Sequence, residues 1–588
     1  MNTPSPKRIS AEEYVALACA WDPSLPFERV TVAGDVNLGK IQHGSSVKFL
    51  PPATIEGDLI ASNLDLSLQE VHCDIGGDVL IASQSFRHFA GNFVSGEFVA
   101  EGCLALDFLA GEFGKNVNLA RSGIRDLGRN FKCSGNLDVT GCRSLRAINS
   151  VVGGSLTAKL SALENFGDHC AISGDVDISH CAQLRHLGKI GSPKNVIART
   201  AALESVSPNF FCRGSLTLQL CHCLETVSGV CGGSASIIQS TLSQIKKFTC
   251  GDSLSIRHCS ELKTIEASVA QDVDLSDCES LTRLSSACRL SGVLRIGGGV
   301  ALKDISGHFK AEVNLSSLEN LKEIPSKFSC ERDLLIRNCR NLEKICGNIG
   351  GNLMLNGSQS VEHISEECQV AGSMIVSDDR PTGDLPKFPP RMVFSGKIPK
   401  DLKIQRVPVD IVTKPSFVLG GDLAASSCRS VALSGLVSGS VFLENTFVDP
   451  MGADLEISKD LRIAHCAGPS KVNCQISGDA SFVDSSIEET GVAFHAKGAV
   501  IFENCTWLKK VNGNFEGGVE FTDPKNNNRE SNMPLPPPSR LSQTMKNLTP
   551  TISSRSLSTS LGVARSAKVT RSSTPSTPVR PPPLPRSL

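Results

Sequence analysis

The chain has 588 residues, 40% of them hydrophobic and 20% charged, which is enough apolar material for a large core. Aromatic content is only 5%, with two Trp and one Tyr, which weakens any function built on stacking nucleobases, so no nucleic-acid partner is expected. The formal net charge of -1 hides an asymmetry: from Lys525 onward ten Lys and Arg face the single Glu530, and removing those nine net charges leaves the rest near -10. No run reaches the roughly eighteen apolar residues of a membrane span. The first residues lack the sustained apolar core of a signal peptide, because Lys7 and Arg8 are followed by Ser10, Glu12 and Glu13. A cytoplasmic chain is the expectation.

Ser10 to Glu13 has the spacing of a capping box, which predicts a helix from about Ala11 to Ala20, with Trp21 and Phe27 packing over the first coil of a repeat. Residues 1–33 are thus read as an N-terminal cap. From residue 34 the chain is repetitive. In Gly135 to Ile148, GNLDVTGCRSLRAI, Leu137 and Val139 alternate as in a strand, while Leu145 and Ile148 have the wider spacing of an arc that turns back. The unit returns about every 20 residues, for about twenty-five coils. One unit cannot enclose a core, so copies must stack into a parallel solenoid. Residues 34–376 are read as a first stack, 377–399 as a Pro-rich irregular connection and 400–524 as a second stack.

Between Lys115 and Cys259 two coil types alternate. One carries Cys142, Leu145 and Ile148; the other sets its apolar pair one residue earlier, as in Leu163 and Phe166. Most coils open on Gly, read as a tight corner at positive φ. The residue before each repeat Cys (Gly141, His180, His258, Asp277, Asn338, His465, Asn504) has turn chemistry. The 23 cysteines fall almost wholly into two columns, one represented by Cys142 and Cys181, the other, two or four residues before the repeat Gly, by Cys133 and Cys212. That regularity predicts reduced, buried thiols behaving as small hydrophobes. The segment 525–588 is rich in Ser, Thr, Pro and Arg and is expected to be a disordered basic tail.

The string L-x-L-x-x-C-x-x-L-x-x-L, at Leu137 to Ile148, Leu254 to Ile265 and Leu334 to Ile345, resembles the leucine-rich repeat. The G-x-L-x-L-x-x-C-x-x-L-x-x-L form is similar to repeats of bacterial leucine-rich-repeat proteins, including effectors delivered into eukaryotic hosts. The Pro that usually follows the last Leu of the bacterial pattern occurs only at Pro325 and, less clearly, Pro386. A right-handed β-helix of the kind built from G-D-V-x-I units is the alternative fold, suited by Gly34-Asp35-Val36, Gly174-Asp175-Val176 and Gly478-Asp479.

The outward position of the repeat strand reads as a small, polar stripe that includes Asn118, Asp138, Thr157, Asp177, Thr217 and Asp274, and this is the expected partner-binding face. Asp138 and Asp177 would lie two coils apart, about 9.6 Å, near the upper limit for an inverting glycosidase. No further acid, base or sugar platform accompanies them. Cys221-His222-Cys223 has metal-ligand residue types, yet neighbours on an extended chain point to opposite sides, so no metal or cofactor is expected. Phosphate-binding, dinucleotide, kinase and nucleophile motifs are absent from the sequence. In the tail, Pro575-Ser576-Thr577-Pro578-Val579-Arg580 fits P-x-x-P-x-R, and Pro581 to Arg586, with Pro585 before Arg586, gives a second Pro-plus-Arg ligand for SH3-type domains. These features predict a monomeric, non-enzymatic interaction scaffold. The resemblance implies a translocated effector that reaches a host cytosol without a cleaved signal peptide. A self-assembling cytoskeletal β-helix is the alternative, and a carbohydrate-active β-helix enzyme the third reading.

Overall fold

The computed structural model describes residues 6–41, 47–62, 67–284, 288–298, 301–358, 360–365, 367–378 and 391–522. The expected disordered tail, with Pro575, Pro578, Arg580, Pro581, Pro585 and Arg586, lies outside the described residues, as do Pro381, Pro386, Pro389 and Pro390 of the connection. The described residues belong to one compact unit, Met1–Arg529.

That unit is a parallel β-solenoid. Leu137–Asp138 pairs in register with Val117–Asn118 on one side and Leu156–Thr157 on the other, and the pattern runs from Val36–Asn37 to Val519–Thr522 through 25 strands. Among the described residues the ladder is open, since the first and last strands each pair on one edge only. At about 4.8 Å per step it spans on the order of 115 Å. Met374–Ser377 of the first stack pairs directly with Leu402–Gln405 of the second, so the ladder is continuous between them.

Each coil has two further faces. In the coil of Gly135 the chain leaves the first face, turns at Gly141, forms the second face at Ala147–Ile148 and the third at Val151–Val152. Leu137, Val139, Cys142, Leu145, Ile148 and Val152 all point inward and are fully buried. One α-helix and one 3-10 turn are the helical elements among the described residues. The parallel solenoid expected from the repeat is therefore present. Its return arcs are strands, the arrangement of the β-helix alternative, where a leucine-rich repeat would place helix or 3-10 turn. The two alternating coil types merge in register: Ile148 pairs with Phe166 and Leu187 with Val206, so the one-residue offset is absorbed at the first corner.

That corner carries the left-handed residues. Gly141, His180, His258, Asp277, Asn338, His465 and Asn504 all have positive φ, between 53° and 70°. The glycines that open the coils do not, apart from Gly34 at +82°. The expectation of positive φ there is corrected, and the reason for glycine is crowding. A Cβ at Gly77 would lie 2.1 Å from Asp58 Oδ1 and 2.8 Å from the Gly57 carbonyl carbon. The polar residue after the opening glycine explains this closeness, because its side-chain oxygen accepts the backbone N–H of the equivalent residue one coil on. Asp35 accepts from Asp58 at 2.9 Å, Asp58 from Asp78 at 2.7 Å, Asn136 from Ser155 at 2.7 Å and Asp460 from Asp479 at 3.0 Å.

The 23 cysteines are free thiols, and 20 are buried. In the first column Cys142 donates to the Leu119 carbonyl at 3.1 Å and Cys181 to that of Ala158 at 3.0 Å, each reaching back one coil. Ser122 and Ser161 fill the same column in alternate coils and touch these sulfurs. Burial pushes the Cys170, Cys330 and Cys474 thiols up to about 12, so they are protonated and unreactive.

The N-terminal cap forms as expected. Helix Ala11–Ala20 starts at a capping box in which the Glu13 N–H donates to Ser10 Oγ at 3.2 Å and the Ser10 N–H to Glu13 Oε2 at 2.8 Å. Its Tyr14 is fully buried and donates to the Pro51 carbonyl at 2.7 Å. Arg8–Ser10 pairs with Thr31–Ala33 and covers the edge of the third face.

Two measurements check these contacts. Asn136→Ala removes the acceptor for the Ser155 N–H; it should cost about 1–3 kcal/mol locally and accelerate amide exchange at Ser155 while coils far away keep their protection. Under native conditions a thiol reagent should modify the exposed Cys19 and Cys223 quickly, Cys505 more slowly, and the other 20 only on unfolding.

Candidate functional site

The first face presents the predicted stripe as one line. Asn118 stands in register with Asp138, Asp138 with Thr157, Thr157 with Asp177, and Asp177 with Ile197, which is followed by Thr217. Ser236 and Ser255 continue the line to Asp274. All six residues of the expected stripe are half-buried, between inward neighbours that are fully buried.

Their hydrogen bonds show what the polar residue types do locally. Asn118 Oδ1 accepts the Ala120 N–H at 3.0 Å, Asp138 Oδ1 that of Thr140 at 2.8 Å and Asp177 Oδ1 that of Ser179 at 3.0 Å. Each is a short Asx turn that ends the strand and delivers the chain into the left-handed corner. Asp177 also pairs with Lys159 at 3.0 Å, and Asp274 pairs with Arg257 one coil back. Partial burial raises the Asp177 carboxyl, but the hydrogen bonds from Ser179 and Lys159 outweigh it and hold the group below the usual carboxylate range. Asp177 and Asp274 are thus each held by a cation one coil back.

The other residues weighed from sequence are not brought together. Cys221 is buried in the first column while His222 and Cys223 face out. His258 and His465 sit at corners and approach only the carboxylate one coil on, Asp277 at 3.2 Å and Asp484 at 3.3 Å. Among the described residues, no group of three or more His, Cys, Asp and Glu is disposed to hold a metal ion.

Sequence reasoning missed a cluster near the N-terminal end. His88 lies between two carboxylates, its Nδ1 3.2 Å from Glu70 and its Nε2 2.8 Å from Asp107, with His72 3.3 Å from the far side of Glu70. Partial burial raises Glu70, and the contacts with both imidazoles bring it below the usual range. The spacings 70, 88 and 107 are single coil periods, which is the signal that could have revealed the cluster.

No family model matches the sequence, and no curated protein matches it. Among the described residues, no helix is long and apolar enough to cross a membrane.

The depressed Asp177 pKa gives a signed prediction. Its stabilisation is full above the ordinary Asp value of about 3.9 and is lost as pH falls through the lower folded value. Asp177→Ala should therefore lower the melting temperature at pH 7, and the gap to the parent protein should close as the solution is acidified through that range. A gap that is independent of pH would show that the carboxylate is not what stabilises the corner.

Proposed function

We propose that this protein is a non-enzymatic interaction scaffold that binds a protein partner on the first face of its solenoid and SH3-type adaptors through its proline-rich tail. The observation that carries the reading is the unbroken ladder of 25 in-register strands. Such a surface is long, shallow and pre-ordered, and it meets a protein ligand with little loss of entropy. The half-buried line from Asn118 to Asp274, held by Asx turns and inter-coil ion pairs, is the segment assigned to the partner. Pro575, Pro578 and Arg580, with Pro581, Pro585 and Arg586, supply two polyproline ligands for the adaptors. The setting that suits these features is a bacterial effector acting in a host cytosol. Support for it comes from the resemblance of the repeat to bacterial leucine-rich-repeat proteins and from the 20 buried free thiols, which suit a reducing compartment. Strands on three sides of coils such as that of Gly135 support, as the second reading, a structural β-helix.

A panel of SH3 domains titrated with the full chain tests the tail. At least one should bind, and Pro578→Ala with Arg580→Ala should weaken that binding tenfold or more while the melting temperature stays fixed. For the face, Thr157→Arg with Thr217→Arg should abolish capture of a partner that the parent chain retains from host cytosol. If these variants retain the same partners and no SH3 domain binds, the scaffold reading is lost.

A further inference from the structure

Three thiols of the second cysteine column fall in consecutive coils. Cys212, Cys231 and Cys250 end the strands Phe211–Cys212, Thr226–Cys231 and Gln244–Cys250 and stand in register, Cys212 opposite Cys231 and Cys231 opposite Cys250. In other coils the same position holds Val152, Ile172, Val269 or Leu290, so filling the interior does not by itself require sulfur here. Neighbouring strands lie about 4.8 Å apart, inside the range of roughly 4.4–6.8 Å that a disulfide spans between Cα atoms. The sulfurs also share acceptors. Cys212 and Cys231 both reach the Gly214 carbonyl, at 3.6 and 3.0 Å, and Cys231 and Cys250 both reach that of Gly233, at 3.4 and 3.1 Å. The corner beside them is built from Gly214, Gly232, Gly233 and Gly251, which add no side chain there. A hydrogen bond from the Cys231 thiol holds Cys212 below the usual thiol range and outweighs its burial, while donating that bond pushes Cys231 up to about 11.

We propose that Cys212 and Cys231 are a modification site, a dithiol that hydrogen peroxide converts to a disulfide between adjacent coils. The Cys212 thiolate attacks one peroxide oxygen; the O–O bond breaks, hydroxide leaves and takes up the proton that Cys212 gave up, and Cys212 becomes a sulfenic acid. Cys231 Sγ then attacks Cys212 Sγ. The S–S bond forms, the S–O bond breaks, and the hydroxyl leaves as water with the Cys231 proton. Two thiols have lost two electrons and two protons, and one peroxide has become two waters. A peroxide is close to water in size and reaches a corner lined by glycine where a bulky thiol reagent does not. The new bond ties together the coils whose first-face strands are Val196–Arg199 and Leu216–Gln219, and so fixes the part of that face which carries Thr217. The site is independent of the scaffold reading, and either can fail without the other.

Peptide mapping of the full chain after peroxide treatment tests this, with the remaining thiols alkylated in denaturant before digestion. The dose is raised until the exposed Cys19 is oxidised. Most of the Cys212 should then be recovered in a peptide joined to that of Cys231, lighter by two hydrogens, and dithiothreitol should separate them. Cys231→Val should abolish the link and Cys250→Val should leave it in place, valine being the residue that Val152 and Val269 already supply in this column. Mapping of the unaltered chain decides the matter even if a variant fails to fold. Recovery of Cys212 and Cys231 unlinked at that dose overturns the proposal. So does a link from Cys231 to Cys250 in its place, or equal linking of Cys259 and Cys278, which lie one coil apart in the first column.

Discussion

The structure depends on one contact repeated along the corner between the third and first faces. A side-chain oxygen from the residue after the opening glycine accepts the backbone N–H of the matching residue in the next coil, as Asp58 does for Asp78 and Asn136 for Ser155. Corners are where a solenoid's ladders lapse and its amides would otherwise go unpaired, a costly state for a group shielded from water. The contact also fixes how closely the coils approach. Gly is required beside it because that approach leaves no room for a Cβ, as at Gly77. The Gly-Asp and Gly-Asn dipeptides are thus the device that sets rise and register together.

Two other features depend on that register. Small residues form continuous columns because every coil brings the same corner to the same place. Cys142 above Ser122 and Cys181 above Ser161 pack sulfur against hydroxyl where a larger side chain would force the coils apart. On the second face, charged residues meet their opposites one coil away, as with Arg185 and Glu204 at 3.3 Å or Lys471 and Glu489 at 2.8 Å. These pairs are exposed and each contributes little stability. Their value is specificity, since a slip by one residue would turn them inward.

The solenoid was legible in the sequence because its period is carried by residues that cannot be exchanged freely. Leu137, Val139, Leu145 and Ile148 fill the interior, and the Cys columns mark its corners. The outward stripe was legible for the same reason, as strand alternation fixes which side a residue takes. The return arcs were harder. Ala147–Ile148 and Val151–Val152 are strands only two residues long, too short for alternation to show, so a leucine-rich-repeat arc and a β-helix arc read alike. The opening glycines mislead because a glycine needed for positive φ and one needed for space look the same in sequence. The cluster of Glu70, His88 and Asp107 escaped because it exists only once coils are stacked, from residues unremarkable in their own coil.

Cap and repeat together bear on how the chain acquires its shape. The pairings in the ladder join residues about one coil apart in sequence, as Leu137 with Leu156 or Val500 with Val519, so no coil waits for a distant segment. Chains dominated by such near contacts order quickly, and a repeat array can grow by addition to a formed neighbour. Helix Ala11–Ala20 and the coils under it emerge before the later coils during synthesis. They give later coils a surface on which to wind, one turn at a time, in the direction of translation.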